Sequence, residues 1–249
     1  MDGRLTVRIG IGGWTYEPWR GVFYPDGLVH RRELEYAAQH LTAIEINATF
    51  YGRQKPASWR KWGEAVPEGF QFTVKASRYS TARKVLAEGA DSIEKFLNQG
   101  FTELGDKLGP ILWQFAPTKH FERDDFARFL DLVPDSQDGV ALRHALEIRH
   151  ESFEDPTFFE LARTRNMAVV FADSDEYPCI DEATADFSYA RLQRTEESVE
   201  TGYDDEALDA WADKTHGWSK GGRDTYVFFI AGAKVRNPTA ARMLIKRMI

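Results

Sequence analysis

Charged and amide side chains recur inside runs that otherwise read as strands, and their spacing sorts them onto one face. In "AIEINATFY" (43–51), Ile44, Ile46, Ala48 and Phe50 share one parity; Glu45, Asn47 and Thr49 share the other. Side chains alternate across a strand, so this segment has one apolar and one polar surface. The same test groups Gln71, Thr73 and Lys75 in "FQFTVKAS" (70–77), and Leu112 with Gln114 in "PILWQFAP" (110–117). It pairs Glu147 with Arg149 in "HALEIRHESF" (144–153) and aligns Asp173 with Val169 and Phe171 in "MAVVFADS" (167–174). Arg191 and Gln193 align with Tyr189 in "FSYARLQR" (187–194). If all these polar faces point into one interior, Glu45, Glu147 and Asp173 meet Lys75, Arg149 and Arg191. Such a balanced set is tolerable inside a protein only when paired and hydrogen-bonded. Its chemistry would be anion binding by the cations, with Glu147 or Asp173 acting as a base or activating water. The bland alternative is an ion-pair network that does no chemistry. A site is favoured because replacing buried ion pairs with hydrophobes is often neutral or stabilising.

The elements that must position these residues alternate along the chain. Two further strand-like runs, "TVRIGIGGW" (6–14) and "TYVFFIAG" (225–232), bring the strands to eight. Helical patterns lie around 30–40, 56–66, 91–108, 122–132, 155–165, 205–218 and 238–248. Asp91 with Glu94 has capping-box chemistry, and Pro56 and Pro238 suit first-turn positions. Strand–helix alternation implies parallel strands joined by crossovers, and eight units in this length imply one (β/α)₈ TIM barrel over residues 1–249. An open doubly wound sheet would show continuous apolar strands, since both its faces lie under helices. The segment "DEYPCIDEATAD" (175–186) is too short and polar for a helix, so the sixth helix is expected to be absent or a single turn. Most of the polar residues fall late in their strands, at the C-terminal rim where barrel active sites are built.

Composition restricts the function. The chain is 43% hydrophobic and 29% charged, as expected of a soluble globular protein. It has no apolar run of the roughly 20 residues a membrane helix needs, and no signal-peptide pattern at its start. Its single cysteine, Cys179, suits a reducing, cytoplasmic compartment and has no evident histidine partner for nucleophilic catalysis. A net charge of −7 argues against coating nucleic acid by bulk attraction. The segment 53–84 is locally basic and carries Trp59, Trp62 and Tyr79, so nucleic acid was weighed as a partner; a solvated basic helix face is the preferred reading. The histidines are scattered, which argues against a zinc site with several His ligands. One Mg²⁺ or Mn²⁺ on Glu45, Glu147 and Asp173 is conceivable, though three lumenal cations compete for those acids; no cofactor is expected. "GIGG" (10–13) lacks the full phosphate-loop fingerprint and reads as a place where backbones pass closely. A Glu45–Glu147 pair would suit a glycosidase only at the right separation.

The chain resembles the YecE-like family, catalogued as domain of unknown function 72. The resemblance is carried by "IGIGGWTYEPWRGVFYP", "EINATFYG", "PEGFQFTVKAS", "LGPILWQFAP", "LEIRHESF", "YARLQR" and "TYVFFIAGAK". It implies a TIM barrel of no established reaction, with Trp14, Glu45, Asn47, Tyr51, Lys75, Gln114, Glu147, Arg149, His150 and Asp173 around the pocket. Two departures stand out. Where the family has Arg–Leu–His–Gly, this chain has Arg191, Leu192, Gln193 and Arg194; where the family often has Asn–Asn–Asp, it has "IAGA" (230–233). A glutamine cannot shuttle a proton.

The leading expectation is an enzyme, of hydrolase or phosphodiesterase type, acting on a small anionic, phosphate-bearing ligand. Glu147, Asp173 and Glu45 would be its catalytic residues. Trp14, Asn47, Tyr51, Lys75, Gln114, Arg149, His150 and Arg191 would bind substrate, with no metal ligands assigned and a monomer favoured. The alternative is a non-catalytic protein that binds a metabolite or single-stranded nucleic acid. At a solvated rim, Glu147→Gln should cost under about 1 kcal/mol, whereas a dry buried pair would lose about 3–5 kcal/mol; the solvated case is the expected one.

Overall fold

The computed structural model describes residues 6–249. Its strands are β1 (Val7–Gly12), β2 (Ala43–Ile46), β3 (Gln71–Lys75), β4 (Leu108–Gln114), β5 (His144–Glu147), β6 (Ala168–Val169), β7 (Phe171–Asp173), β8 (Phe187–Leu192) and β9 (Asp224–Phe229). They form one sheet in the spatial order β6-β5-β4-β3-β2-β1-β9-β8-β7, with every pairing parallel. The two ends of that order, β6 and β7, are pieces of one extended stretch divided only at Val170. The sheet therefore curls into a nearly closed barrel. The eight runs read from the sequence each carry strand, and the ninth strand arises from this division. Val170 N–H still donates to Leu146 O at 3.0 Å, so the stretch bonds to β5 on one side and β8 on the other.

The helices are α1 (Glu33–His40), α2 (Ala48–Tyr51), α3 (Pro56–Glu64), α4 (Arg78–Thr81), α5 (Ala90–Leu97), α6 (Arg123–Leu132), α7 (Pro156–Thr164), α8 (Asp205–Trp218) and α9 (Asn237–Arg247). No helix occurs between Asp175 and Asp186, as the polarity of that segment implied. None of the helices among the described residues is long and apolar enough to cross a membrane. Pro56 opens α3 and Pro238 lies in the first turn of α9, where a missing N–H costs nothing.

Local expectations fail at three places. The strand read over 43–51 stops at Ile46, and Ala48–Tyr51 wind into one helical turn instead. Thr49 Oγ1 donates to the carbonyl oxygens of Lys75 (2.6 Å) and Ile46 (3.2 Å), which ties that turn to the end of β3. The 91–108 helix breaks at Gly100, whose φ of 86° a helix cannot hold, and continues as a 3₁₀ segment, Phe101–Lys107. Asp91 makes no cap, because α5 already begins at Ala90 behind Gly89. Side-chain caps occur elsewhere: Asp155 Oδ1 accepts from Thr157 N at 2.7 Å and Asp204 Oδ1 from Ala207 N at 2.8 Å. A short hairpin, Ser136–Gln137 with Val140–Ala141, was not foreseen.

Parity divides the interior into two cores. Ile44, Ile46, Phe72, Val74, Ile111, Trp113, Leu146, Ala190, Leu192, Val227 and Phe229 pack under the helices. Ala43, Leu112, Ala145, Ala168, Val170, Phe187, Tyr189, Tyr226 and Phe228 fill the lumen. At its N-terminal end, buried Asp224 accepts from Arg143 Nη1 at 2.7 Å and from Arg8 Nη1 at 3.4 Å. The lumen is thus a packed plug, polar at both ends, with no continuous channel.

β1 is unusual in facing the lumen with glycine. A Cβ on Gly10 would lie 1.9 Å from the Ala43 carbonyl oxygen and 3.3 Å from the Phe228 ring. Neither a backbone oxygen in a parallel ladder nor the strand carrying it can yield that far. We expect Gly10→Ala to destabilise by at least about 3 kcal/mol, at or beyond the upper end of ordinary overpacking. The denaturation midpoint, compared with Gly52→Ala at an uncrowded position of extended backbone, measures it; a loss at Gly10 no larger than at Gly52 would contradict the close approach.

Candidate functional site

Above the apolar plug, residues of five strands converge on one guanidinium. Arg191 on β8 donates through Nε (3.2 Å) and Nη2 (3.0 Å) to the two carboxylate oxygens of Glu45 on β2. Its Nη1 donates to Glu147 Oε2 on β5 at 2.5 Å. Glu147 Oε2 also accepts from Gln114 Nε2 on β4 (2.8 Å), and Oε1 accepts from Arg149 Nε (3.0 Å). Tyr189 OH donates to Glu45 Oε2 at 2.7 Å and lies 3.0 Å from Thr73 Oγ1 on β3. Glu45 and Glu147 are 0% exposed and Arg191 2%. Burial alone would raise the Glu147 carboxyl, but Arg191, Arg149 and Lys75 outweigh it and hold the group at about 2. Burial, then Glu45, pushes the Tyr189 hydroxyl well above its ordinary range.

Lys75, at the end of β3, stands apart. It is 8% exposed and has no hydrogen-bond or carboxylate partner among the described residues; its Nζ sits 4.2 Å from the centroid of the Phe50 ring. Burial and the neighbouring Arg191 lower its pKa to about 8, Arg149 adds to the lowering, and Glu45 and Glu147 oppose it.

A cavity of about 760 Å³ opens over this cluster at the C-terminal ends of the strands. Lys75, Arg149, Arg191 and Lys234 line it, and among the described residues no aspartate or glutamate does. Glu45 and Glu147 lie beneath its surface, behind Arg191. Lys234 Nζ rests 4.3 Å from the Tyr16 ring centroid, and burial lowers its pKa. Arg149 packs its guanidinium 4.3 Å from the Tyr177 ring centroid. Gln193 lines the cavity, and its buried Nε2 has no hydrogen-bond partner among the described residues.

Of the residues singled out by sequence, Trp14, Asn47, Tyr51, Lys75, Gln114, Arg149 and Arg191 line this cavity, and Glu45 and Glu147 support it from below. Trp14 meets Trp62 edge-on at 5.1 Å, and Tyr51 stands exposed at the mouth. Two do not join them. Asp173 shares its face with Val169 and Phe171 as read, but that face lies under the helices and not in the lumen. Its register partner is the outward Leu192, and its carboxylate accepts from Arg194 Nε (2.6 Å) and Tyr203 OH (2.9 Å). His150 also lies outside the cavity: its ring packs 3.8 Å from that of His120, and its Nδ1 is 2.9 Å from Ser152 Oγ. Tyr189, Phe50, Gln193, Lys234 and Tyr177 complete the surroundings; Tyr189 and Gln193 share the lumenal parity, whereas parity set Phe50 on the outer apolar face, and it reaches the cavity because β2 ends at Ile46. Within the basic 53–84 segment, α3 is a helix face, with Trp59 buried and its N–H on Gln99 O (2.9 Å) and Arg60 paired with Glu103 at 3.0 Å, while Lys75 lies on β3 and lines the cavity.

Residues 8–249 match the family described as "Protein of unknown function DUF72". The chain belongs to the DUF72 family. A DUF72 protein from Thermotoga maritima MSB8 superposes with a TM-score of 0.79 at 24% identity, covering 98% of this chain and 99% of that one. Another from Enterococcus faecalis V583 gives a TM-score of 0.76 at 18% identity, with 97% and 95% covered. D-psicose 3-epimerase shares the fold more distantly, with a TM-score of 0.54 at 12% identity over 97% and 96%. In sequence, UPF0759 protein YunF of Bacillus subtilis (strain 168) is 28% identical over 159 residues, 62% of this chain and 54% of its own length. The match thus spans about half of that relative.

This geometry narrows the chemistry open to a DUF72 barrel. The carboxylates weighed for a divalent cation do not converge, since Arg191 occupies Glu45 and Glu147 while Asp173 faces outward. No group of three or more His, Cys, Asp or Glu among the described residues is arranged to hold a metal ion. A glycosidase needs two carboxyls that reach the sugar, and Glu45 and Glu147 are both 0% exposed and absent from the cavity's wall. The solvated rim expected for Glu147 is also overturned, because the residue is fully buried. We expect Glu147→Gln to cost about 3–5 kcal/mol, since it strips charge from between two guanidinium groups in a dry setting. Because the folded carboxyl lies below its ordinary 4.5, its contribution is complete above that pH and is lost as pH falls towards about 2. Urea midpoints at pH 7 and pH 3 measure both effects. The mutant's deficit should shrink at pH 3, and a deficit under about 1 kcal/mol at pH 7 would show that water reaches the pair.

Proposed function

We propose that this DUF72 protein is an enzyme that binds a small anionic ligand, phosphate- or carboxylate-bearing, in the cavity at the C-terminal rim. The observation that carries the reading is the cavity's one-sided charge: among the described residues four cationic side chains line it and no carboxylate does. Arg191 is neutralised from beneath by two glutamates, and Arg149 shares one of them. Lys75 and Lys234 have no carboxylate of the described residues within ion-pairing distance, so an entering anion meets two cations without an ion-pair partner among them. Gln193 Nε2 supplies an unused donor beside them. Lys75, buried, and Lys234, half-buried, would each gain more from an anion than they would at an exposed surface.

The catalytic assignment shifts with this reading. Glu147 and Glu45 accept hydrogen bonds from every side and serve to position Arg191 and Arg149; Asp173 takes no part. A lysine with a pKa near neutrality, in a cavity, is the one group among these poised to exchange protons. Hydrolysis driven by a carboxylate base is therefore replaced by chemistry centred on Lys75.

Inorganic phosphate, sulfate and small phosphorylated compounds should raise the melting temperature, by roughly 5–10 °C at a hundredfold excess over Kd for a chain of this size. Lys75→Met combined with Lys234→Met should reduce the shift by more than half, and Arg60→Ala should leave it intact. Absence of any shift across the panel would overturn the reading. Loss of the shift in Arg60→Ala would move the binding surface to the outer basic face.

A further inference from the structure

Lys75 differs from the other cavity cations in being a buried primary amine with no hydrogen-bond or ion-pair partner among the described residues. Its neighbours explain why the nitrogen stays unengaged. Glu45 and Glu147, whose charges favour its ammonium form, are already bound to Arg191, and Glu147 to Arg149 as well. What remains is the Phe50 ring face at 4.2 Å on one side and the cavity on the other. We propose that Lys75 Nζ is a nucleophile that forms an imine with an aldehyde or ketone whose acidic group is held by Arg149 and Lys234.

The inference rests on the anion-binding reading and deepens it by naming the substrate class, a carbonyl compound bearing a phosphate or carboxylate. Its steps balance within the site. The free amine adds to the carbonyl carbon, forming the C–N bond while the C=O π pair moves to oxygen. That oxygen takes up a proton and the nitrogen loses one, giving a carbinolamine. The hydroxyl then leaves with a proton as water, and the nitrogen lone pair completes the C=N⁺ bond. One positive charge enters as the ammonium and one remains as the iminium, so Glu45 and Glu147 face the same charge before and after. No oxidant, reductant or metal is required.

Several features favour the first step. Of the charged groups acting most strongly on the amine, Arg191 and Arg149 oppose its protonation, and Glu45 and Glu147 support it. With the pKa at about 8, roughly a tenth of the amine is free at pH 7, against about one in three thousand for an ordinary lysine. Its 8% exposure limits hydrolysis of the product by bulk water. The other cavity lysine, Lys234, also lies over aromatic rings, Tyr16 and Trp19 at 4.3 and 5.7 Å, but it is only half-buried.

The test is reductive trapping on the full chain. Glyoxylate, pyruvate and dihydroxyacetone phosphate are each incubated with the protein, sodium borohydride is added, and peptide mass mapping locates the reduced adduct. The proposal expects at least one probe to label Lys75 at least tenfold faster than any other lysine, with a rate that rises with pH to half its maximum near pH 8. Lys75→Arg keeps a cation but has no amine able to form an imine, so it should lose the adduct, whereas Arg60→Ala, on the outer helix, should keep it. Labelling spread evenly over the lysines, or no labelling of Lys75 by any probe while phosphate still stabilises wild type, overturns the imine and leaves anion binding standing. Failure of phosphate to stabilise even the wild type overturns the reading beneath it.

Discussion

One buried guanidinium sets the terms for the upper half of the barrel. Removing a guanidinium and two carboxylates from water costs several kcal/mol per ion, and only dense mutual bonding offsets it. Arg191 meets this demand by spending all three of its nitrogens on Glu45 and Glu147. Because these residues sit on β8, β2 and β5, the ion cluster also spans the barrel and holds distant strands in one geometry. Leaving out any member would strand a charge in a region that water does not reach. Tyr189, Gln114 and Arg149 then occupy the remaining lone pairs, which makes the cluster a closed set.

That closure decides which side chains keep chemical freedom. Glu147 accepts from two guanidinium groups and an amide, and Glu45 from one guanidinium and a phenol, so both are fixed acceptors, and Glu147 is held far from the pH where it could carry a proton. The acidic residues that looked most catalytic are thereby the least reactive. The freedom passes to the groups left over, Lys75 and Lys234, whose unpaired nitrogens face a cavity with no carboxylate in its wall. The surplus of positive charge at the rim follows directly from how the charges beneath it pair.

The lower lumen plays a supporting part by different means. An apolar layer of Leu112, Phe187, Tyr226, Phe228 and small alanines separates the ion cluster from the Arg8–Asp224–Arg143 group at the opposite end. Gly10 lets β1 come against β2 so closely that no side chain fits between them. A lumen narrowed at that wall leaves the rim as its open end, and the side chains that converge there do so on a rigid base.

Local pattern by itself determined the alternation of strands and helices, the absent helix after β7, and which face each strand turns inward for β2, β3, β4, β5 and β8. It did so because burial acts on every second residue of a strand, and each such signal is complete within a few residues of chain. The strand containing Asp173 shows where that reasoning stops. Its parity was legible, but its residues on both faces are apolar, and only pairing with β8 decides that Ala168 and Val170 face the lumen. Which charges neutralise one another was likewise settled by tertiary structure alone. Those partners lie as much as 216 residues apart in the chain and meet through the register of a curled sheet. Lys234 and Tyr177 reach the site from loops, which carry no periodicity, and His150 leaves it because the chain turns away directly after Arg149. Residue types could say that three cations and three acids were present; only distance could say that one acid lay elsewhere and that one lysine had no partner.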